Sequence, residues 1–328
     1  MRYLALAILV GTWVGCGDDS SGNGGAGGGG AGGSGLLDEY VLEDQELVPE
    51  SGTFDAQGQS FYVGSETQGN ITQVAADGTE AIFFEPPVGE SWRTLGMVAD
   101  AAARRLWVCA RRVDVVMEQV WVFDLETGQR TLALNLEDTA SGSTCNDIAL
   151  DAGGLAYVSD SANPRIYRAD ADLGTVETWA DDPLLASDNA QFGGNGIAVS
   201  EDDAYVLLSK TFAPATTPRL LRIDRADPTN IAGITTTPEL VGSADGMSFL
   251  DGDLYLAIVS PGEIFRMVSD DDWATATLTR TSAPAGTSTV RPADGSLYAI
   301  YSDISSSLLM MPLSPPFLIF RVDLDSFE

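Results

Sequence analysis

The sequence contains no histidine and only one lysine, Lys210. Without imidazole there is no His-assisted serine or cysteine triad, no imidazole general base and none of the usual zinc sites. Any metal must then be a hard cation held by oxygen, most naturally calcium, with other divalent cations as alternatives. Positive charge is scarce altogether. Seventeen Lys and Arg stand against 48 Asp and Glu in 328 residues, a formal net charge of −31. Such a surface repels nucleic acid and anionic membrane faces, so neither is expected as a direct partner. No stretch shows sustained helical periodicity, and no apolar run has the length of a typical membrane span. What is present, 44% hydrophobic residues and 35 glycines, is the composition of a globular chain with many turns.

The first residues read as a targeting segment. Arg2 and the short apolar core "YLALAILVGTWV" run into Gly15 and Cys16. The stretch resembles a bacterial lipobox, with Trp13 where leucine is usual, and Cys16 would carry the lipid. An ordinary signal peptide with an incidental cysteine is the alternative. Residues 17–36 are a Gly/Ser-rich linker that buries nothing and would span about 25 Å as a flexible coil. Export to the bacterial cell envelope, with membrane contact through the lipid alone, is the expectation. In that compartment Cys109 and Cys145 either pair or remain two small buried thiols.

From Leu37 onward one pattern repeats. An apolar strand with an aromatic marker is followed by a loop and a second strand. The markers are Tyr62, Trp107, Tyr157, Tyr205, Tyr255 and Tyr298, at intervals of 45, 50, 48, 50 and 43 residues. Short strands repeating at this period, punctuated by "AGG", "EDD", "DGD" and "ADG", predict an all-β, six-bladed β-propeller of four-stranded blades over residues 37–328. The sixth unit ends at "FLIFRVDLDSFE" without an outer strand, and Glu39–Val48 is expected to supply it, burying Tyr40, Val41 and Leu47. The chain is expected to be a monomer.

In a propeller the innermost strand of each blade begins at the mouth of the central channel. Reading back from those strands gives Glu50, Asn146, Asn195 and Asp245, which lie twelve, eleven, ten and ten residues before their markers. Asn-Gly and Asp-Gly are common turn pairs, and turn residues are the competing interpretation. Two carboxylates and two amides at one register also make a donor set for a hard cation: charged oxygens for affinity, neutral ones to complete the shell.

At these motifs the chain resembles the gluconolactonase and regucalcin group of six-bladed, calcium-dependent propellers, whose wider superfamily includes serum paraoxonase and diisopropylfluorophosphatase. The resemblance implies a glutamate opening the first blade and "ND", "NG" and "DG" pairs as metal ligands, which fall on Glu50, Asn146, Asn195 and Asp245. It implies hydrolysis of lactones or related esters, with Asp245 as both ligand and base. It marks Asp147 as a candidate ligand for a second metal. An arginine of that family, two residues before the "ND" asparagine, contacts sugar acids. Thr144 stands there, a pocket candidate that argues against a sugar-lactone substrate.

Bound calcium lowers the pKa of water less than zinc does, so a carboxylate must take the proton, and Asp245 is the candidate. The loops "SKTFAPATTP" and "SDISSSLLMMPLSPP" are long enough to shape specificity, the second either as an apolar wall or as a packed plug. The rival function is a non-catalytic, surface-tethered binding module with a structural calcium.

Overall fold

The structure is a computed structural model and describes residues 35–136, 142–186, 193–211, 218–242, 244–259, 262–281, 286–290, 294–308 and 310–328. Cys16 and the linker up to residue 34 lie outside the described residues. Leu36 is buried among blade residues.

Six sheets, antiparallel but for one added strand, make the six blades. Blade one is β2 (Gly52–Asp55), β3 (Ser60–Gly64), β4 (Ile71–Ala75) and β5 (Glu80–Phe84). Blade two is β6 (Trp92–Asp100), β7 (Arg105–Arg112), β8 (Met117–Asp124) and β9 (Arg130–Asn135). Blade three is β10 (Cys145–Leu150), β11 (Ala156–Asp160), β12 (Arg165–Asp170) and β13 (Thr175–Asp181). Blade four is β14 (Gly194–Val199), β15 (Tyr205–Lys210), β16 (Leu220–Asp224) and the short β17 (Ile231–Gly233). Blade five is β19 (Ala244–Leu250), β20 (Asp253–Ile258), β21 (Glu263–Val268) and β22 (Thr275–Thr281). Blade six is β23 (Gly286–Val290), β24 (Tyr298–Tyr301) and β25 (Leu318–Arg321), completed by β1 (Glu39–Val41). Each innermost strand touches the next, from β2 through β6, β10, β14, β19 and β23 back to β2, so the ring is closed.

Two expectations need correction. Blade five has a fifth strand, β18 (Thr235–Thr237), which leaves the edge of blade four and lies parallel to β22. The closing strand is shorter than Glu39–Val48. Only β1 pairs with β25, in the register Glu39 to Phe320, Tyr40 to Ile319 and Val41 to Leu318. Alternation then decides burial: Tyr40 points inward and Leu47 is buried beyond the strand, but Val41 faces solvent at 53% exposure. Tyr40 is held by its hydroxyl, which donates to the Ala76 carbonyl (3.1 Å) and accepts from the Leu37 amide (2.9 Å).

Why these residues make blades is visible in the core. Each strand alternates faces, and each face packs on a neighbouring blade rather than on one central core. Trp92, Trp121 and Phe123 fill the first interface, Trp107, Val120 and Tyr167 the second, and Phe61, Tyr298 and Tyr40 close the ring between blades six and one. The aromatic markers are not all equivalent. Tyr157 pairs with Ala149, and the residue at that place in blade four is Leu207, opposite Ala198; Tyr205 opens its strand two residues earlier.

Candidate metal centre at the mouth of the channel

A repeated backbone irregularity builds the mouth. In blade two the pairing steps from Thr94–Ala110 to Met97–Val108, in blade three from Cys145–Asp160 to Ile148–Val158, in blade four from Gly194–Lys210 to Ile197–Leu208, and in blade five from Ala244–Ile258 to Met247–Leu256. Each step is a β-bulge in which two residues of the innermost strand oppose one of its partner. The doubled pairs are Leu95–Gly96, Asn146–Asp147, Asn195–Gly196 and Asp245–Gly246. Three of the four expected ligands therefore sit on bulges, which turn side chains off the pleat. The fourth, Glu50, ends the segment leading into β2.

In blades two, three and four the single residue opposite the bulge latches its blade to the next, whereas in blade five it is Ala257 and makes no such bond. Ser159 donates to the Asn195 carbonyl (2.6 Å), and Ser209 donates to the carbonyls of Asp245 (3.2 Å) and Gly196 (3.3 Å). In blade two the equivalent residue is Cys109, and its latch is covalent. Cys109 and Cys145 form a disulfide with a Cα separation of 5.3 Å, directly beside Asn146. Of the two states left open by the sequence, the paired one is found. Cys109 lies within β7, and Cys145 is the first residue of β10.

The mouths approach so closely that two glycines are obligatory. A Cβ on Gly196 would stand 2.0 Å from the Asp245 carbonyl oxygen, and one on Gly96 would stand 2.4 Å from that of Asn146.

Glu50, Asn146, Asp147, Asp245 and Ser288 line one narrow recess. Asn195 adjoins it. Its Nδ2 donates to Thr211 Oγ1 (2.6 Å) and to the Ala244 carbonyl (3.4 Å), next to Asp245. A carbonyl only accepts, so the amide nitrogen must face Ala244, and Oδ1 is turned the other way. That Oδ1 is buried without a hydrogen-bond partner, and so is Oδ1 of Asn146. Two orphaned amide oxygens in one ring of strands are costly unless something absent from the protein pairs with them.

The carboxylates are in the same condition. Burial first, then the charges of Asp245 and Asp147, push the Glu50 carboxyl well above the usual carboxylate range. Burial and the charge of Asp147 do the same to Asp245, against the pull of the Asn195 amide. Asp147 accepts from the amides of Ile148 (2.8 Å) and Ile197 (3.1 Å), but burial outweighs both and raises it to about 7. Its two oxygens are thus spent on the backbone of blades three and four, which makes it a brace between them.

Among the described residues no three Asp, Glu, Cys or His groups gather as a metal cluster. What the mouth offers is a mixed set of two carboxylates and two unpaired amide oxygens. All are hard donors, and an oxygen-seeking cation fits them.

Thr144 lies outside the recess lining, with its amide donating to Asp160 Oδ1 (2.9 Å). Most of "SKTFAPATTP" falls outside the described residues. The other loop carries the short helix α1 (Ile304–Leu308) and reaches the mouth, where Ser307 Oγ donates to Glu66 Oε2 (3.1 Å). Its Met310 and Met311 are exposed. Glu66 also pairs with Arg93 of blade two, so blades one, two and six meet over Glu50. Glu66, Arg93 and Ser307 lie off the register of the repeat motifs, so the sequence pattern does not reveal this group.

Residues 48–289 match the family described as the SMP-30/gluconolactonase/LRE-like region. No curated protein sequence matches the chain. Among solved structures, the major allergen Mala s 1 of Malassezia sympodialis superposes with a TM-score of 0.70 at 16% identity, covering 88% of this chain and 96% of that one. A gluconolactonase from Xanthomonas campestris gives 0.60 at 16% identity, over 87% and 89% of the two chains. The calcium-binding protein regucalcin from Agrobacterium tumefaciens gives 0.58 at 17% identity, over 88% and 95%. At such identities the superpositions establish the fold. The family match spans most of the blades, and with the ring of mouth residues it places this protein in the SMP-30/gluconolactonase/LRE-like family.

Proposed function

We propose that the protein is a calcium-dependent hydrolase of lactones or related esters, with its centre at the channel mouth. The observation that carries this reading is the pair of buried, unpartnered amide oxygens of Asn146 and Asn195 beside the buried carboxylates of Glu50 and Asp245. Glu50, Asn146, Asn195 and Asp245 would hold the ion. Bound calcium would polarise an acyl oxygen and stabilise the charge that develops there. The gluconolactonase and regucalcin neighbours support this class of chemistry.

The chain's own residues do the rest. Asp245 is the base: its carboxylate faces the recess and is the one group of the set with a second role, taking the proton of the attacking water. Asp147 fixes the geometry by accepting from Ile148 and Ile197. Ser159 and Ser209 hold the mouth carbonyls of adjacent blades in place. The Cys109–Cys145 bridge supports an exported chain, since such bonds persist in oxidising compartments. Anchoring through a lipid on Cys16 belongs to the same proposal.

The test is a panel of simple lactones and aryl esters with the full chain, in calcium and in chelator. Calcium-dependent turnover, with Asp245→Asn keeping calcium binding better than turnover, is expected. Calcium binding without turnover of any substrate would replace the enzyme with a binding module.

A further inference from the structure

Blade two differs from its neighbours at the mouth. Where they present Glu50, Asn146, Asn195 and Asp245, it presents Leu95, which is buried and offers no ligand. Just beyond its bulge, Arg93 on β6 and Arg111 on β7 are direct cross-strand partners. Like charges placed opposite each other weaken a sheet. The chain has only seventeen basic residues and nonetheless puts two of them here.

Each arginine is tied toward the mouth by a buried glutamate. Arg93 pairs with Glu66, whose charge is felt by Glu50. Arg111 Nε pairs with Glu118 Oε1 at 3.1 Å, and Glu118 Oε2 accepts from the Cys145 amide (3.2 Å), one residue before Asn146. The two arginine side chains remain 38% and 45% exposed, but the glutamates only 6% and 4%. A guanidinium carries five donors, more than one carboxylate can use. The rim over Leu95 is therefore a pair of guanidinium groups, fixed from beneath and open from above, on a molecule that otherwise repels anions.

We infer that Arg93 and Arg111 form an anion subsite at the rim of the mouth, selecting lactones or esters that carry a second, carboxylate group. This rests on the hydrolase reading above for its substrate class. The substrate carboxylate would meet the guanidinium pair through charge-assisted hydrogen bonds, while its acyl group reaches the recess below. Water adds across the acyl C–O bond: a lactone opens to one hydroxy dicarboxylate, an ester gives a carboxylate and an alcohol, and one proton is released in either case.

The probes are γ-butyrolactone γ-carboxylate and its methyl ester, with calcium-loaded full chain. Removing an arginine alone strands a buried glutamate, so the variants are Arg93→Met/Glu66→Gln and Arg111→Met/Glu118→Gln. The wild type should prefer the free carboxylate in kcat/KM. That preference should fall about 10- to 100-fold in each double variant, mainly through KM, and should shrink as salt is added. A wild type with no such preference, or variants that retain it, would overturn the subsite. If neither lactone is turned over, the hydrolase reading has failed separately, and calorimetric titration with the ring-opened hydroxy dicarboxylate decides. Binding by the wild type that the variants lose supports the subsite; no binding, or equal binding, overturns it.

Discussion

The two ends of the channel treat the same residue type in opposite ways. At the end away from the mouth, carboxylates of three blades are matched by arginine. Asp55, fully buried, receives Arg104 Nη1 at 2.7 Å on both of its oxygens. Asp151 faces Arg225 of the next blade at 3.3 Å, and Asp294 shares Arg321 with Asp38. At the mouth, burial and like charges dominate Glu50 and Asp245, and among the described residues no cation offsets them. One end is finished by the fold alone. The other is electrostatically incomplete, and the bulges, close-packed glycines and latches that hold it so support the proposed cation site.

This contrast breaks most directly by mutation at each end. Asp55→Ala should cost about 3–5 kcal/mol, because it strands Arg104 in a buried pair, and chemical denaturation should show the same loss with or without calcium. Glu50→Gln should do the reverse. Calcium-free protein at neutral pH should be as stable as the wild type or more so, since a buried, repelled carboxylate is gone, but the stabilisation by calcium should vanish. A calcium-independent loss at Glu50 would make it an ordinary buried residue.

The covalent latch comes next. Cys109→Ser/Cys145→Ser should lower stability by about 2–4 kcal/mol for a loop of this size, and should weaken calcium binding as well, because Cys145 adjoins Asn146. Stability lost with calcium affinity untouched would reduce the bridge to a staple. A smaller and more local effect is expected from Gly196→Ala. The added methyl would displace the Asp245 carbonyl, costing about 1–3 kcal/mol as overpacking, with calcium affinity falling further than stability would account for.

The blade count, the closing role of the N-terminal strand and the four mouth residues were legible in the sequence because each depends on period. A repeat near fifty residues, with turns between strands, leaves little room for another fold. The finer features depend on pairing register, which period does not reveal. Glu50, Asn146 and Asp245 each precede the strand partner of their marker by the same interval, so the uneven spacings to Tyr62, Tyr157 and Tyr255 reflect hairpin length and say nothing of the bulges. Tyr205 matched the interval but not the register, since any aromatic in an apolar strand satisfies a spacing rule. Val41 was expected inside because it is apolar, and strand alternation put it outside. Arg93 and Glu66 come from different blades and share no motif, so only the folded ring brings them together.

Calcium titration by calorimetry at two pH values tests the central claim most directly. A carboxyl whose folded pKa lies above its unfolded value takes up protons on folding, so its contribution to stability falls as pH rises between the two. Glu50 and Asp245 are raised and Asp147 reaches about 7, so calcium-free protein should lose stability from about pH 4 through pH 7. A cation at the mouth replaces those protons, and its affinity should increase over the same window. The account predicts one calcium per chain, bound more tightly at pH 8 than at pH 5, with proton release at the lower pH and loss of the site in Glu50→Gln. No heat of binding at either pH, or full binding by Glu50→Gln, would contradict it.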